Sequence, residues 1–341
     1  MKVLIQIPCH DEEATLPLVL GELPRRLDGV TSVEWLVVDD GSTDRTAEVA
    51  RSHGVDHLVS LPRRQGLARA FLAGIEASIE AGADIVVNTD GDYQYRATDI
   101  PALIRPILEG RADIVVGSRP IDRTAHFSPL KRFLQRMGSR ATRALSGTDV
   151  EDSPSGFRAF TRDAAMRLHV YNRYTYTVET IIQAGRKGMA ITSVPVGTNP
   201  ELRQSRLVTS TGSYVARQLL TMVRVFMTYK PFRFFAVPGA VLFGAGFLIG
   251  LRFLLAYLGG DGSGHVQSLI LAALLMGTGF FLGVVGLIAD LLAVNRVLLE
   301  GLDWRLRRLE LGRRAGARVD ADQAAGGVEG AAGVRDARAR E

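Results

Sequence analysis

In "VVNTDGDYQY", Val86 to Tyr95, an apolar run ends in two carboxylates, Asp90 and Asp92, separated only by Gly91. Like charges aimed at nearly one point repel unless something positive lies between them. Together with the amide oxygen of Gln94 they offer hard oxygen ligands suited to Mg²⁺ or Mn²⁺, a cation that would also bridge a diphosphate. Two earlier apolar runs end the same way: "IPCHDEE" supplies Glu12, and "VVDDGSTD" supplies Asp39 and Asp40. Divalent metal, ribose hydroxyls and base N–H groups are the partners such acceptors require. A lone D-x-D often does no more than cap a loop, but three acidic run ends in one chain seldom do. "DDGSTD" also reads as a helix N-terminus, with Ser42 or Thr43 as the cap and Asp44 in the first turn, which is compatible with a binding loop.

Acids at the carboxyl ends of strands are where open parallel sheets bind ligands, so strands must lie beneath them. The apolar runs predict strands over Val3 to Pro8, Glu34 to Val38, His57 to Ser60, Ile85 to Thr89 and Ile114 to Gly117. Helix-period segments fall between, near Ala14 to Leu27, Thr43 to His53, Gly66 to Ala81 and Asp99 to Glu109. That alternation predicts an α/β fold, a mostly parallel sheet covered by helices. A basic helix around Pro129 to Leu145, a helix near Thr177 to Gly188 and a strand at "ITSVPV" follow. No G-x-G-x-x-G follows the first strand and no Walker loop appears, so dinucleotide and P-loop readings lose their main support.

From Phe234 to Leu258 and from Leu269 to Ala289 the chain is long, apolar and Gly-rich, and the second stretch carries no charge. Each can cross a hydrocarbon core of about 30 Å as a helix. Arg252, near the end of the first, can snorkel to the interface. Lys230 and Arg233 precede the pair, Arg296, Arg305, Arg307 and Arg308 follow it, and "GGDGSGH" between holds neither Lys nor Arg. Positive-inside bias then places the N-terminal region and the C-terminal tail in the cytoplasm, the membrane being the cell (inner) membrane if the source is bacterial. "MKVLIQIPCHDEE" turns acidic too soon for a signal peptide. Val208 to Tyr229 reads as an amphipathic helix lying on the membrane, with a plain core helix as the alternative. The expected organisation is a catalytic region over 1–207, a juxtamembrane helix over 208–232, two spans over 233–296 and a tail over 297–341, disordered after 310.

The 341 residues carry a net charge of +5, almost all of the basic side chains being Arg. Such a surface suits anionic lipid or phosphate; no nucleic-acid partner is expected. A single cysteine, Cys9, excludes an internal disulfide framework and Cys-rich zinc sites. The Gly-rich "GTGFFLGVVG" of the second span permits close helix packing and leaves room for a homo-oligomer.

In order, "IPCHDEEATL", "VVDDGSTD", "RRQGLARAFLAGIEAS", "NTDGDYQY", "VVGSR" and "DSPSGFRAF" resemble glycosyltransferase family 2, over roughly residues 1 to 207. With "NPELRQSRL" and two C-terminal spans, the chain is most similar to the polyprenyl-phosphate glycosyltransferases, the dolichol-phosphate mannose synthase-like group. The resemblance implies a GT-A fold, a Rossmann-like nucleotide-diphospho-sugar transferase domain. By motif, Pro8, His10, Glu12, Asp39, Asp40 and Gln65 would hold the donor's base and ribose side, with Asp90 and Gly91 at its diphosphate. Asp90, Asp92 and Gln94 would hold the metal, Mg²⁺ or Mn²⁺. Arg119 and Arg132 would face the acceptor phosphate, while Arg203, Ser205 and Arg206 would grip phosphate near the membrane, a task that suits arginine's planar fork. Asp92, Asp152 and Arg119 would be the catalytic set, Asp152 as base or as an orienter of the arginines. Where the family shows an aromatic residue and Asn before the first Glu, His10 and Asp11 stand here. "QAGRKG" at Gln183 lacks the Trp of the processive synthases' Q-x-x-R-W, which argues against a polymerising role.

The implied reaction is inverting, metal-dependent transfer from a UDP- or GDP-sugar to a polyprenyl phosphate. Two alternatives stand beside it: transfer to another membrane lipid such as a diacylglycerol, and a non-catalytic membrane scaffold.

Overall fold

The structure is a computed structural model that describes residues 1–119, 138–140, 142–170, 176–200, 220, 223–224, 226–260 and 266–338, with side chains as far as 310 and at Arg313. Strands β1 (Lys2–Cys9), β2 (Ser32–Asp39), β3 (His57–Ser60), β4 (Ile85–Asn88), β5 (Ile114–Ser118), β6 (Arg158–Thr161) and β7 (Ile191–Pro195) form one sheet, ordered β3-β2-β1-β4-β6-β5-β7. Every pairing is parallel except those of β6, which runs antiparallel between β4 and β5. Helices α1 (Leu16–Glu22), α2 (Thr46–Ser52), α3 (Leu67–Glu80), α4 (Ile100–Leu108), α5 (Arg162–Arg167) and α6 (Thr177–Arg186) cover it.

Because both faces are covered, the central strands are nearly continuous apolar runs. Val3, Ile5 and Ile7 of β1 pack with Leu16 and Leu20 of α1 and with Leu103 and Ile104 of α4. Leu4 points the other way, into a core with Phe71 and Ile75 of α3 and Ile181 of α6. The sheet is built outward from β1: the chain goes first to β2 and β3, then returns to β4 on the other side. The carboxyl ends of β1 and β4 thus lie side by side where the strand order reverses, the place where open parallel sheets bind ligands.

The strands lie where the apolar runs place them, β3 over the same residues. Neither β6 nor α5 was among the expected elements. β6 is four residues long with Arg158 at its start, and α5 is a six-residue helix, so neither is long enough to show a periodicity.

Beyond the sheet, α7 (Pro231–Leu258) and α8 (Val266–Arg338) pack side by side. Both are long and apolar enough to cross a membrane, and only 11% and 17% of their most apolar windows is buried. The core helix of a soluble protein would be mostly buried, so these are candidate membrane spans with their apolar flanks outward. Helix α8 runs on past its apolar part to Arg338. Most of the juxtamembrane stretch lies outside the described residues; Phe226 to Tyr229 is helical, and Tyr229 is buried against Leu145 and Ile182.

Gly239 of α7 and Gly279 of α8 face one another, and Gly246 of α7 faces Ala272 of α8. A Cβ on Gly239 would lie 2.8 Å from the Gly279 carbonyl oxygen, and one on Gly246 2.8 Å from that of Ala272. Small residues thus let the helices approach within one chain. Gly279→Leu is expected to destabilise the hairpin by about 1–3 kcal/mol through overpacking, read as a lower thermal midpoint of the detergent-solubilised chain. Gly277→Leu, where a Cβ meets nothing within 4 Å, should leave the midpoint unchanged.

Past its apolar part, α8 docks on the sheet domain. Glu300 pairs with Lys187 at 2.9 Å, Asp303 with His169 at 2.9 Å, and Arg307 with Glu76 at 3.9 Å. Trp304 packs against the core face, under the Arg167 guanidinium at 4.7 Å.

Candidate active site

Pro8 is buried at the end of β1, and the chain turns at Asp11, whose φ of 54° is left-handed. The loop after β2 holds that turn. Asp11 N–H donates to Ser42 Oγ at 3.0 Å, and Thr43 N–H donates to Asp11 Oδ1 at 2.8 Å. Glu12 is buried, and Thr15 Oγ1 lies 2.6 Å from its Oε2 and 2.8 Å from the Gly91 carbonyl oxygen, joining the ends of β1 and β4. His10 Nδ1 sits 3.0 Å from the Asp40 carbonyl oxygen.

The two acids after β2 have different work. Asp39 Oδ1 accepts from Ser42 N–H at 2.9 Å. Both Asp40 oxygens are taken by the backbone ahead of α3, from Gln65 N–H at 2.6 Å and Gly66 N–H at 2.8 Å. A carboxylate there also complements the positive end of that helix. Asp40 therefore shapes the loop, and Gln65 takes part through its backbone.

At the end of β4, Gly91 packs so tightly that a Cβ would meet Cys9 Sγ at 2.8 Å. Asp92 Oδ1 accepts from Gln94 N–H at 3.1 Å across the left-handed Tyr93. Asp90 is half-buried. Desolvation, and next the charge of Asp92, push its carboxyl up to about 7, although Arg119 and Arg158 pull the other way. Among the described residues, no group of three or more His, Cys, Asp and Glu forms a metal cage. The residues present fit a hard divalent cation that takes two carboxylates and completes its shell with phosphate and water, since a positive charge would relieve the strained acid pair.

Arg119 follows β5 and grips Asp152 with both prongs, Nε to Oδ2 at 2.7 Å and Nη2 to Oδ1 at 3.0 Å. Its Nη1 donates to Gln94 Oε1 at 3.3 Å, so this amide oxygen serves the arginine as well as any cation. Asp152 is wholly buried; burial pulls the Arg119 guanidinium down, but Tyr95, the bonds to Asp152 and the charge of Asp90 together hold it above its usual range. A cavity of about 410 Å³ opens beside it, lined by Ser118, Arg119, Glu151, Pro195, Val196 and Gly197.

Behind the acid pair lies Arg158, fully buried and donating to the carbonyl oxygens of Ser153, Ser155 and Thr177, each at 2.8 Å. Burial lowers its pKa to about 10. A buried cation thus faces the acids from within the fold.

Residues 4–168 match the profile of Glycosyl transferase family 2. A UDP-N-acetylglucosamine–dolichyl-phosphate N-acetylglucosaminyltransferase of Methanococcus voltae is 30% identical, over 58% of this chain and 85% of its own length. The chain belongs to glycosyltransferase family 2. It is also similar to the undecaprenyl-phosphate mannosyltransferase of Micrococcus luteus, 28% identical over 66% of this chain and 93% of the relative. Among solved structures it resembles glucosyl-3-phosphoglycerate synthase from Mycobacterium tuberculosis, crystallised with Mn²⁺, UDP and glucosyl-3-phosphoglycerate. That likeness has a TM-score of 0.52 and 25% identity, covering 65% of this chain and 79% of the other.

In this glycosyltransferase, Pro8, His10, Glu12, Asp39, Asp40, Asp90, Gly91, Asp92 and Gln94 line one sheet edge, and Arg119 joins them through Gln94. Arg132, Arg203, Ser205 and Arg206 lie outside the described residues. Sequence reasoning gave no part to Arg158, Asn88, Tyr176 or Gly156. Asn88 Nδ2 donates to the Gly156 carbonyl oxygen at 2.8 Å and to Tyr176 Oη at 2.9 Å, while Tyr176 stacks on Phe71 at 3.8 Å. The network fixes Gly156 where a Cβ would come within 2.9 Å of both Asp90 oxygens. Gly156→Ala is therefore expected to displace that carboxylate and slow transfer about tenfold with little change in thermal midpoint, as read by donor-turnover assay and a melting curve.

Proposed function

We propose that this glycosyltransferase moves a sugar, with inversion, from a nucleotide-diphospho-sugar to a polyprenyl phosphate at the cytoplasmic membrane face. One observation carries the reading: both oxygens of Asp152, the acid in the base's position, are taken by Arg119. A hydroxyl acceptor needs a base. A lipid monophosphate, with a second pKa of about 6, is already a competent anion at neutral pH.

Pro8, His10, Glu12 and Asp39 take the base and ribose. Asp90 and Asp92, with Gln94 beside them, hold the diphosphate through Mg²⁺ or Mn²⁺, which when bound offsets the charge of the departing nucleotide. Arg119 presents its remaining N–H groups to the acceptor phosphate at the mouth of the adjoining cavity, and Asp152 keeps the fork in plane. By the family resemblance, Arg132 would face the same acceptor phosphate, and Arg203, Ser205 and Arg206 would grip phosphate near the membrane. With the hairpin across the membrane, the lipid acceptor is held at high effective concentration. The acceptors named for the Micrococcus luteus and Methanococcus voltae relatives support this choice.

The test is a binding screen of UDP- and GDP-sugars with Mn²⁺ on the full chain, followed by radiolabelled transfer to prenyl phosphate and to diacylglycerol. Label entering prenyl phosphate is the expected result. Label entering only diacylglycerol overturns the acceptor, and no nucleotide-sugar binding overturns the enzyme reading.

A further inference from the structure

A second cavity lies at the end of the hairpin that joins the sheet domain. It measures about 340 Å³ and is lined by Arg186, Tyr229, Lys230, Phe232, Arg233 and Asp290. Helix α6 separates it from the transfer site. Thr177 in the first turn of α6 accepts from Arg158, whereas Arg186 closes the last turn nine residues on, about 14 Å away along the helix axis.

Three basic side chains against one acid leave this cavity with a net positive charge. Arg186 Nη1 donates to the Tyr229 carbonyl oxygen and Lys230 Nζ to that of Ala144 at 3.0 Å, and each head group has further N–H donors to offer. Arg233, one turn into α7, is exposed. The position decides the ligand. Lys230 and Arg233 stand where α7 begins, and Asp290 directly follows the uncharged stretch Leu269 to Ala289, so the cavity sits at the depth of lipid headgroups. Phe232 is 47% exposed at its rim, and the outward apolar side chains of α7 and α8 lead away from it along the spans. A polar end that wants an anion is thus continuous with a surface that wants hydrocarbon.

We propose that this cavity binds the phosphate headgroup of an anionic membrane phospholipid, its acyl chains lying along α7 and α8. Basic pockets between spanning helices recognise such headgroups through this combination. A lipid seated there would bridge α6, the start of α7 and α8, the elements through which the sheet domain meets the bilayer. The inference rests on the hairpin lying in a membrane and is independent of which sugar or acceptor the transfer site takes.

The full chain in detergent is titrated with dioctanoyl phosphatidylglycerol, with dioctanoyl phosphatidylcholine and with inorganic phosphate, and binding is followed by native mass spectrometry. Phosphatidylglycerol is expected to bind more tightly than either of the others. Each basic residue lost should weaken it about fivefold, so about 25-fold for Lys230→Gln with Arg233→Gln; Arg252→Gln at the far end of the hairpin should change nothing. Should the double variant fail to fold, Arg233→Gln alone, at an exposed position, gives the fivefold reading. Equal phosphatidylglycerol binding by a folded variant and the native chain overturns the site. Phosphatidylcholine binding as tightly removes the charge argument, and inorganic phosphate doing so makes it an anion site and not a lipid site. Transfer to a short-chain prenyl phosphate in detergent should be the same in Arg233→Gln, which keeps failure here distinct from failure of the transfer reading.

Discussion

Asp90→Asn and Asp92→Asn are each expected to lower sugar transfer by about a thousandfold or more, because on the proposed reading each removes a charge that holds a cation against the donor diphosphate. Asparagine keeps the shape of the side chain, so the loss should appear in turnover at saturating Mn²⁺ and not in folding. Stability gives an independent check. Burial and Asp92 raise the Asp90 carboxyl to about 7, so the folded protein holds its proton more tightly than the unfolded chain does, whose aspartates titrate near about 4. The sign follows from that difference: native stability without metal falls as pH rises from about 4 to about 7. Metal-free Asp90→Asn lacks this fall, and its thermal midpoint at pH 8 should equal or exceed that of the native chain. A midpoint well below the native one would mean that Asp90 supports the fold instead of a cation.

Arg119→Lys is expected to cost about a hundredfold in transfer, whereas Asp152→Asn should leave readily measurable activity. Lysine keeps the positive charge but loses the fork that engages Asp152 through two nitrogens and reaches Gln94 with a third. Asparagine at 152 keeps one acceptor for the same arginine and so relaxes its aim without removing it. The comparison is made with prenyl phosphate as acceptor and steady-state rates on both sides. If Asp152→Asn is as inactive as Asp92→Asn while still folded, the buried acid is a base and the acceptor is a hydroxyl. Arg119→Gln is a poorer probe, since it strands a fully buried carboxylate, a change that costs about 3–5 kcal/mol of stability.

The acidic strand ends were legible because buried parallel strands are written as apolar runs, and a carboxylate that breaks such a run marks its end. What the sequence could not show was which neighbour each acid would meet. Asp39 and Asp40 are adjacent in the chain, yet Asp40 spends both oxygens on Gln65 and Gly66, a choice set by where α3 begins. Asp152 lies 33 residues from Arg119, and the two meet only because β6 inserts antiparallel beside β5. Arg158 escaped notice because arginine is ordinarily exposed; its one signal was its place inside the apolar "GFRAF". The stacked Tyr176 and the Asn88 network depend on the same insertion.

The continuous α8 has a mechanical corollary. Glu300, Asp303 and Arg307 share one stripe of that rod and meet Lys187, His169 and Glu76. One residue added between Asp290 and Glu300 would swing the stripe by about 100° and unseat the domain; about four would bring it round again and carry the domain roughly 6 Å farther along the helix axis. With the hairpin across a bilayer, as proposed, the height of the sheet domain above it would be geared in whole turns, like a ratchet, with no seat for chain lengths between the notches.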